Sequence, residues 1–212
     1  MKVFTKKRAT NQGLANRRLV HGIGINDANY SVKITINGKR TVCPFYLKWL
    51  SMMTRGYSEQ YKLKQKTYTS CDVVKDWHRF SNFRQWMKLQ KWEGRHLDKD
   101  LIVEGNKTYG PSTCMLIQQN VNKLMNNYSS ARGKLPLGVT NRKGGSYQAQ
   151  ISINSRKKHI GYFDTAAQAH RAYCLAKADI IKELIPTLAN EDPRLAPALQ
   201  RWEAKFRNGG AA

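Results

Sequence analysis

The sequence predicts an α+β protein made of two domains. Its length of 212 residues fits one or two domains, and 41% hydrophobic and 10% aromatic content is enough for packed cores. In the second half, apolar residues alternate from Tyr147 to Ile153 as in a half-buried strand, and an alanine-rich segment after Thr165 has the pattern of a long helix. Residues 126–135 (NNYSSARGKL) lack apolar periodicity, which is typical of a linker between domains.

In the first half, several local signals predict alternating strands and helices. Apolar side chains alternate from Tyr30 to Ile36 and are followed by Asn37-Gly38, a strong type I′ hairpin signal. Pro44 is expected to open a helix at its first turn, and Ser81 to cap another. The segment Leu97–Val103 then has the composition of a strand.

The second half predicts three antiparallel strands and one packing helix. Turns at Gly144-Gly145 and at residues 154–157 separate the predicted strands, and Thr165 is expected to cap the helix. Pro186 is expected to break that helix, because proline lacks the N–H that continues it. The predicted organisation is a basic arm (residues 1–18), a first domain (19–126), a linker (127–135), a second domain with a C-terminal helix (136–207) and a tail (208–212).

The charge balance indicates a polyanionic partner. The chain has 37 Lys and Arg against 14 Asp and Glu, a formal net charge of +23. Self-repulsion of this size is costly without a counter-charge, which favours nucleic acid as the partner. Asp27 is the only acid in the first 58 residues, and no acid lies between Glu104 and Asp164. This distribution predicts two phosphate-contacting surfaces around a more acidic middle that is a candidate metal site.

Other classes of protein are disfavoured. No run of 18 apolar residues is present, so no membrane partner is expected, and the basic N-terminus lacks the apolar region of a secretory signal. The four cysteines form no CxxC pair, which predicts free thiols in a reducing cytosol or nucleus. A structural zinc held by Cys43, Cys71, Cys114 and His78 is therefore unlikely.

The second domain contains a specific joint spacing of residues: Gly138-Val139, Tyr147-x-Ala149-x-Ile151, Ile160-Gly161-x-Phe163, Thr165 and Ala169-x-x-Ala172-Tyr173. This pattern resembles the APETALA2/ethylene-response-factor DNA-binding domain. The resemblance implies that the three-stranded sheet lies in the major groove of double-stranded DNA. The residues expected to contact DNA, from this resemblance and from the basic turn, are Arg142, Lys143, Tyr147, Gln150, Ser152, Arg156, Lys157, Lys158 and His159.

The chemistry of these residues suits that role. Arg142 and Lys157 can donate to phosphates or guanine, and Gln150 can form a bidentate pair with adenine. Tyr147 has an equally plausible place in the core of the sheet. Arg156, Lys157 and Lys158 have the alternative of a solvated turn. Thr140, Ser152 and His159 stand where the family carries Arg, Arg and Trp, which implies a different base preference.

The first domain contains the strings HGIGINDANY, CPFYLKWLSMMTRGYS, VVKDW with FSNFRQWM, and HLDKDLIVEGNKTYGPSTCMLIQQNVNKLM. Together these strings resemble HNH-type endonucleases of tailed phages, which implies a homing-like enzyme using Mg²⁺ or Mn²⁺. The last string also resembles the ββα-metal core, in which a His activates water and an Asp with a helix residue holds the metal. Asp98 matches the Asp, Asn106 falls in the loop, and Asn120 or Asn122 falls in the helix.

The general base is the point of departure from the HNH pattern. Lys99 occupies the His position, and an ordinary lysine is protonated at neutral pH. His96, two residues before Asp98, is the rival base, and Asp98 with Asp100 is an alternative metal pair. An acidic strand end paired with lysines is the structural alternative for this segment. The sequence thus predicts a metal-dependent DNA endonuclease; the competing hypothesis is a non-catalytic, regulatory DNA-binding protein built on a degenerate nuclease domain.

Overall fold

The computed structural model describes residues 4–125, 135–154 and 156–210. These residues form two compact units, Met1–Ile117 and Gln118–Ala212. Helices and strands occur in both units, as the predicted α+β class requires. The division falls before the predicted linker, so the helix that follows Ile117 goes with the second unit. The predicted linker itself, residues 127–135, lies outside the described residues except for Leu135.

The N-terminal segment lies on the first unit. It contains the short helix α1 (Asn11–Ala15), and the Lys7 carbonyl accepts a hydrogen bond from the Ser31 amide at 2.8 Å. The Arg17 guanidinium donates to three backbone carbonyls, at 2.7, 2.5 and 2.9 Å, which belong to Asn26, Ala28 and Tyr30. In its described part, the segment predicted as an arm is therefore tied to the first unit.

A hairpin follows at the predicted position. Strands β1 (Lys33–Ile36) and β2 (Lys39–Val42) pair antiparallel around Asn37 and Gly38. Both turn residues have positive φ, 50° and 70°, as a type I′ turn requires. The prediction from Asn37-Gly38 is confirmed.

Two helices with buried aromatic residues contribute to the core of the first unit, α2 (Pro44–Tyr57) and α4 (Phe80–Lys88). The short helix α3 (Glu59–Lys64) follows α2 and has no buried residue. Trp49 of α2 is fully buried, and its indole N–H donates to the Trp77 carbonyl at 2.7 Å. Trp77 is also buried, whereas Trp86 and Trp92 are partly buried and pack against the same cluster.

The predicted N-cap at Ser81 is wrong by two residues. The N-cap of α4 is Arg79, so Ser81 lies inside the first turn. The Ser81 amide and hydroxyl donate to the Asp27 carboxylate at 2.8 and 2.6 Å. A carboxylate distant in sequence thus satisfies one of the free amides at this helix start.

Short strands complete the first unit. Strand β3 (Asp72–Val73) pairs in parallel with β5 (Thr108–Tyr109), and β4 (Arg95–Asp98) pairs with β6 (Met115–Gln118). The predicted strand over Leu97–Val103 is wrong beyond Asp98, because β4 ends there and turns follow.

The second unit contains the predicted sheet and helix. After α5 (Gln119–Met125) come β7 (Val139–Asn141), β8 (Tyr147–Ile153) and β9 (Arg156–Phe163), paired antiparallel in that order. Helix α6 (Ala166–Ala189) packs against the sheet, and α7 (Leu195–Arg207) packs against α6. Thr165 caps α6 in a capping box with Gln168, as predicted for Thr165.

Gly138, directly before β7, lies close to helix α6. Its φ is +80°, and a Cβ there would lie 2.0 Å from Cδ2 of Tyr173 on α6. Only glycine fits both the backbone conformation and this contact. The helix lies against the sheet through small residues such as the buried Ala169, which clusters with Val139 and Ala149.

Pro186 does not break α6. The helix continues to Ala189, with Pro186 inside its last turns. Leu188 is buried beyond the proline, and α6 packs along α7. Tertiary packing outweighs the loss of one intrahelical hydrogen bond near a helix end. Among the described residues, no helix combines the length and apolar character that crossing a membrane requires.

Candidate nucleic-acid interface

One face of the β7–β9 sheet is directed away from α6 and carries polar side chains. In an antiparallel pair, residues directly opposite each other project to the same face. Gln148 lies opposite Tyr162, Gln150 opposite His159, and Ser152 opposite Lys157; Thr140 lies opposite Gln148 on the other side. We call this surface the open face; the register assigns to it Thr140, Gln148, Gln150, Ser152, Lys157, His159 and Tyr162.

A bulge in β9 brings two aromatic rings onto the open face. The register steps from Ala149 opposite Gly161 to Gln150 opposite His159, which leaves Ile160 as an extra residue. Strict alternation from His159 would place Tyr162 on the helix side. The bulge instead places both on the open face, where their ring centroids lie 4.6 Å apart.

Tyr162 is the residue that sequence reasoning missed. It is 59% exposed, which is unusual for a large aromatic side chain in a sheet. Gly161, inside a strand pattern, was the available signal for a bulge. Gln148 was missed as well: its Nε2 lies 3.0 Å from Nδ1 of His159, and this hydrogen bond orients the imidazole.

Arg142 joins this cluster from the turn after β7. Its backbone amide donates to the Ser146 carbonyl at 3.0 Å, which holds the turn closed. Its guanidinium lies 5.8 Å from the ring centroid of Tyr162, a cation–π arrangement. The neighbouring Lys143 is exposed. Arg142, His159 and Tyr162 are therefore grouped at one end of the open face.

Lys157 and Gln150 extend the polar surface along the strands. Lys157 is exposed, and Gln150 is half-buried beside it on the next strand. None of the residues that the register assigns to the open face is acidic. The face thus presents cationic and hydrogen-bonding groups.

Three of the predicted DNA-binding residues lie in the register of the other face. Tyr147 packs against the cluster of Val139, Ala149 and Ala169, in the core position that was its alternative. Lys158 lies opposite Ile151 and Arg156 opposite Ile153; both cations are exposed. These three residues do not share the open face with Arg142, Gln150, Lys157 and His159.

The candidate nuclease residues lie mainly in a loop of the first unit, residues 98–108, which we call the polar loop. Oδ1 of Asp98 accepts hydrogen bonds from the amides of Asp100 and Leu101 at 3.1 and 2.8 Å. These bonds close the turn that ends β4. Burial, and next the Asp100 carboxylate, raise the pKa of Asp98 above its ordinary value.

Lys99 is a buried part of the same loop. Its Nζ donates to the Asn106 carbonyl at 2.8 Å and to Oδ2 of Asp100 at 3.2 Å. It also lies 5.8 Å from the ring centroid of Tyr109. The position that the HNH resemblance assigns to a general base therefore holds a hydrogen-bond donor tied to the loop.

Asn106 spans the polar loop with its amide. Nδ2 donates to the carbonyls of Lys99 and Thr108 at 2.7 and 2.8 Å, and Oδ1 accepts from the Thr108 amide at 3.2 Å. The amide oxygen that would face a metal is thus bonded to the backbone. His96 is exposed on β4, two residues before Asp98.

The remaining predicted ligands lie elsewhere. Asn122 is on α5 in the second unit, and the neighbouring Asn120 donates to Oδ1 of Asn154 at 3.0 Å. Within the described residues, no cluster of three or more His, Cys, Asp or Glu side chains is arranged as a metal site.

The residues of the disfavoured zinc site have other contacts. Cys43, Cys71 and Cys114 are buried free thiols, and burial raises the pKa of Cys114 to about 12. His78 forms a 2.8 Å hydrogen bond with the Tyr57 hydroxyl.

Comparison of the chain with protein-family models, with curated proteins and with solved structures found no match in any of the three. The resemblances to the APETALA2/ethylene-response-factor domain and to HNH endonucleases therefore stay predictions from the sequence.

Proposed function

We propose that the protein binds double-stranded DNA through the open face of the β7–β9 sheet. The observation that carries the proposal is the cluster of Arg142, His159 and Tyr162 beside Lys157, on a face without acids. A net charge of +23 supplies the long-range attraction to a phosphate backbone.

The chemistry of the face divides into positioning and reading. Arg142 and Lys157 offer charged donors to phosphates, contacts that position a protein but carry no sequence information. Gln150, between them, offers an amide that can read adenine in the major groove. The major groove of B-form DNA admits β-strands, whereas that of A-form RNA is deep and narrow, so duplex DNA is the better ligand.

The test is a salt series with a labelled 30-base-pair duplex. The variant Arg142→Ala/Lys157→Ala is expected to lower the slope of log affinity against log salt by about 1.8, since each lost phosphate contact removes about 0.9. Lys123→Ala/Lys182→Ala removes the same charge from exposed positions on α5 and α6 and is the matched control. Equal slopes for the two variants would exclude docking through the open face.

Metal-dependent cleavage of the bound DNA is a second candidate function. The observation in its favour is the pair of carboxylates, Asp98 and Asp100, whose mutual repulsion contributes to the raised pKa of Asp98. Mg²⁺ or Mn²⁺ would relieve that repulsion. The Lys99 ammonium and the Asn106 amide already form hydrogen bonds within the polar loop, which favours the alternative of a non-catalytic DNA-binding protein.

A supercoiled-plasmid assay in Mg²⁺, Mn²⁺ and EDTA separates the two. Asp98→Asn keeps the oxygen that accepts the amides of Asp100 and Leu101 and removes the charge. Metal-dependent nicking that this variant loses supports an endonuclease. A clear gel shift without cleavage in any buffer supports the non-catalytic protein.

A further inference from the structure

A basic groove lies in the first unit, between the N-terminal segment and β1. Its volume is about 700 Å³, and its lining includes residues 7–10, Gly13 of α1, Arg17 and Arg18 after α1, and residues 31–35. Four of its lining side chains are exposed cations, which we call the groove cations: Lys7, Arg8, Arg18 and Lys33. They belong to none of the residues assigned to the open face.

The groove cations are held in place by the fold. The residue pair Arg8 and Tyr30 forms an antiparallel bridge, and the Ser31 amide donates to the Lys7 carbonyl. The Arg17 guanidinium donates to three carbonyls within residues 26–30. These bonds fix the segment after α1, which includes Arg18. A cationic segment with a fixed backbone loses less entropy on binding than a free tail does.

None of the residues that line the groove is acidic. Asp27 is the only carboxylate in the first 58 residues, and its oxygens accept hydrogen bonds from Ser81. Arg79 lies 3.5 Å from the same carboxylate and is its ion-pair partner. The groove cations therefore share their lining with no negative charge, which leaves that surface positive.

The positive surface continues beyond the groove. Arg8 also lines a neighbouring hollow of about 400 Å³ together with Lys6. On the other side, Arg40 lies opposite Thr35 in the hairpin, and therefore projects from the same face as Thr35, which lines the groove. The result is a band of cations rather than a single pocket.

The lining fits a sugar–phosphate backbone better than bases. Between the cations lie the short polar side chains of Thr10, Ser31 and Thr35, which donate well to phosphate oxygens. The one aromatic residue of the lining, Tyr46, is only 6% exposed. Single-stranded nucleic acid is bound by stacking on exposed aromatic rings, and this groove offers none among its lining residues.

We propose that this groove is a second DNA-binding surface, which contacts the phosphate backbone of double-stranded DNA. The inference rests on the proposed function in one respect, that duplex DNA is the ligand. It adds a site in the first unit that makes phosphate contacts and reads no bases. DNA binding by the chain then has two separate contributions, one from each unit.

The test uses the full chain and the same 30-base-pair duplex. The variant Arg8→Gln/Arg18→Gln/Lys33→Gln removes three groove charges and keeps much of the side-chain length. Three lost phosphate contacts are expected to lower the salt slope by about 2.7, with an affinity loss on the order of tenfold or more. The matched control, Lys64→Gln/Lys75→Gln/Lys91→Gln, removes three charges from exposed positions outside the groove and is expected to change the slope by less than about 1.

A second readout reports contact directly. Amine-reactive labelling with mass spectrometry measures the protection of Lys7 and Lys33 when DNA is added, with Lys64, Lys75 and Lys91 as internal references. Protection of the groove lysines, and not of the references, is expected in the wild type. Thermal unfolding of both triple variants checks that the fold is intact.

The outcomes distinguish this inference from the proposed function. Equal slope changes in the groove variant and its control, or no protection of Lys7 and Lys33, overturn the groove. If the slope of log affinity against log salt decreases only in Arg142→Ala/Lys157→Ala, binding through the groove is overturned and binding through the open face is supported. If the slope decreases only in the groove variant, binding through the groove is supported and binding through the open face is overturned. The absence of any duplex binding overturns both.

Discussion

The open face and the polar loop contain similar kinds of side chain and use them differently. On the open face, Arg142, Lys157 and Tyr162 are exposed, and the Arg142 guanidinium lies 5.8 Å from the centroid of the Tyr162 ring. In the polar loop, Asp98, Lys99 and Asn106 are bonded to the backbone of the loop itself. Both regions were predicted from the sequence as DNA-contacting or catalytic sites, so the residue types alone do not distinguish them.

The difference shows how polar groups divide between folding and binding. A buried polar group must find a partner, because leaving it unpaired costs about 1–3 kcal/mol. In the polar loop, the nearest partners are the amides and carbonyls of a segment without regular structure. Exposed polar groups on a regular sheet can form hydrogen bonds with water instead, so they remain available to bind a ligand. Substitutions in the loop should therefore lower stability, and substitutions on the open face should lower binding.

The largest expected effect is on the stability of the polar loop. Asn106→Ala removes three hydrogen bonds and leaves the Lys99 and Thr108 carbonyls without their amide donor. We expect a loss of about 2–4 kcal/mol in the free energy of unfolding, measured by urea denaturation. Lys107→Ala, an exposed neighbour, is the control and should stay within about 0.5 kcal/mol. A stable Asn106→Ala protein that loses only DNA cleavage would assign Asn106 to a metal site instead.

A pair of tyrosines sharpens the comparison within the sheet. Tyr162→Ala removes the ring beside Arg142 and His159 and should weaken duplex binding several-fold, about 1 kcal/mol, with little change in stability. Tyr147→Ala, on the helix-facing side, should instead lower the free energy of unfolding by about 2 kcal/mol. Fluorescence anisotropy and thermal unfolding measure the two effects. Exchange of the two phenotypes would mean that the faces are assigned in reverse.

The smallest expected effect is a pH dependence from Asp98. Its pKa is raised in the folded state, so the stability that it contributes is present below its ordinary value of 3.8 and is lost as pH rises through the folded pKa. Asp98→Asn removes this dependence and keeps the acceptor oxygen. Between pH 3 and pH 8, the melting temperature of the variant relative to that of the wild type should increase as the pH rises. A variant that is less stable at neutral pH would show that the ionised carboxylate stabilises the turn.

Local signals were sufficient for several elements of the fold. Asn37-Gly38 specifies its hairpin because both residues accept positive φ, and Thr165 starts α6 because its hydroxyl reaches the Gln168 amide. The alternation in β8 is likewise a local pattern with one buried face. Elements that depend on distant partners were predicted less well. Ser81 is bonded to Asp27, 54 residues away, and α6 continues past Pro186 where it packs along α7.

The sequence by itself determined the charge of the protein, the three strands of the second unit and the amino-acid types of its polar clusters. Only the tertiary structure decided which of those side chains share a surface. The bulge at Ile160 brings Tyr162 to the open face, Tyr147 packs on the helix side, and the polar loop closes on Lys99. The physical reason is that a side chain becomes buried, bonded or exposed through cross-strand register and through partners distant in sequence, which local propensity does not specify.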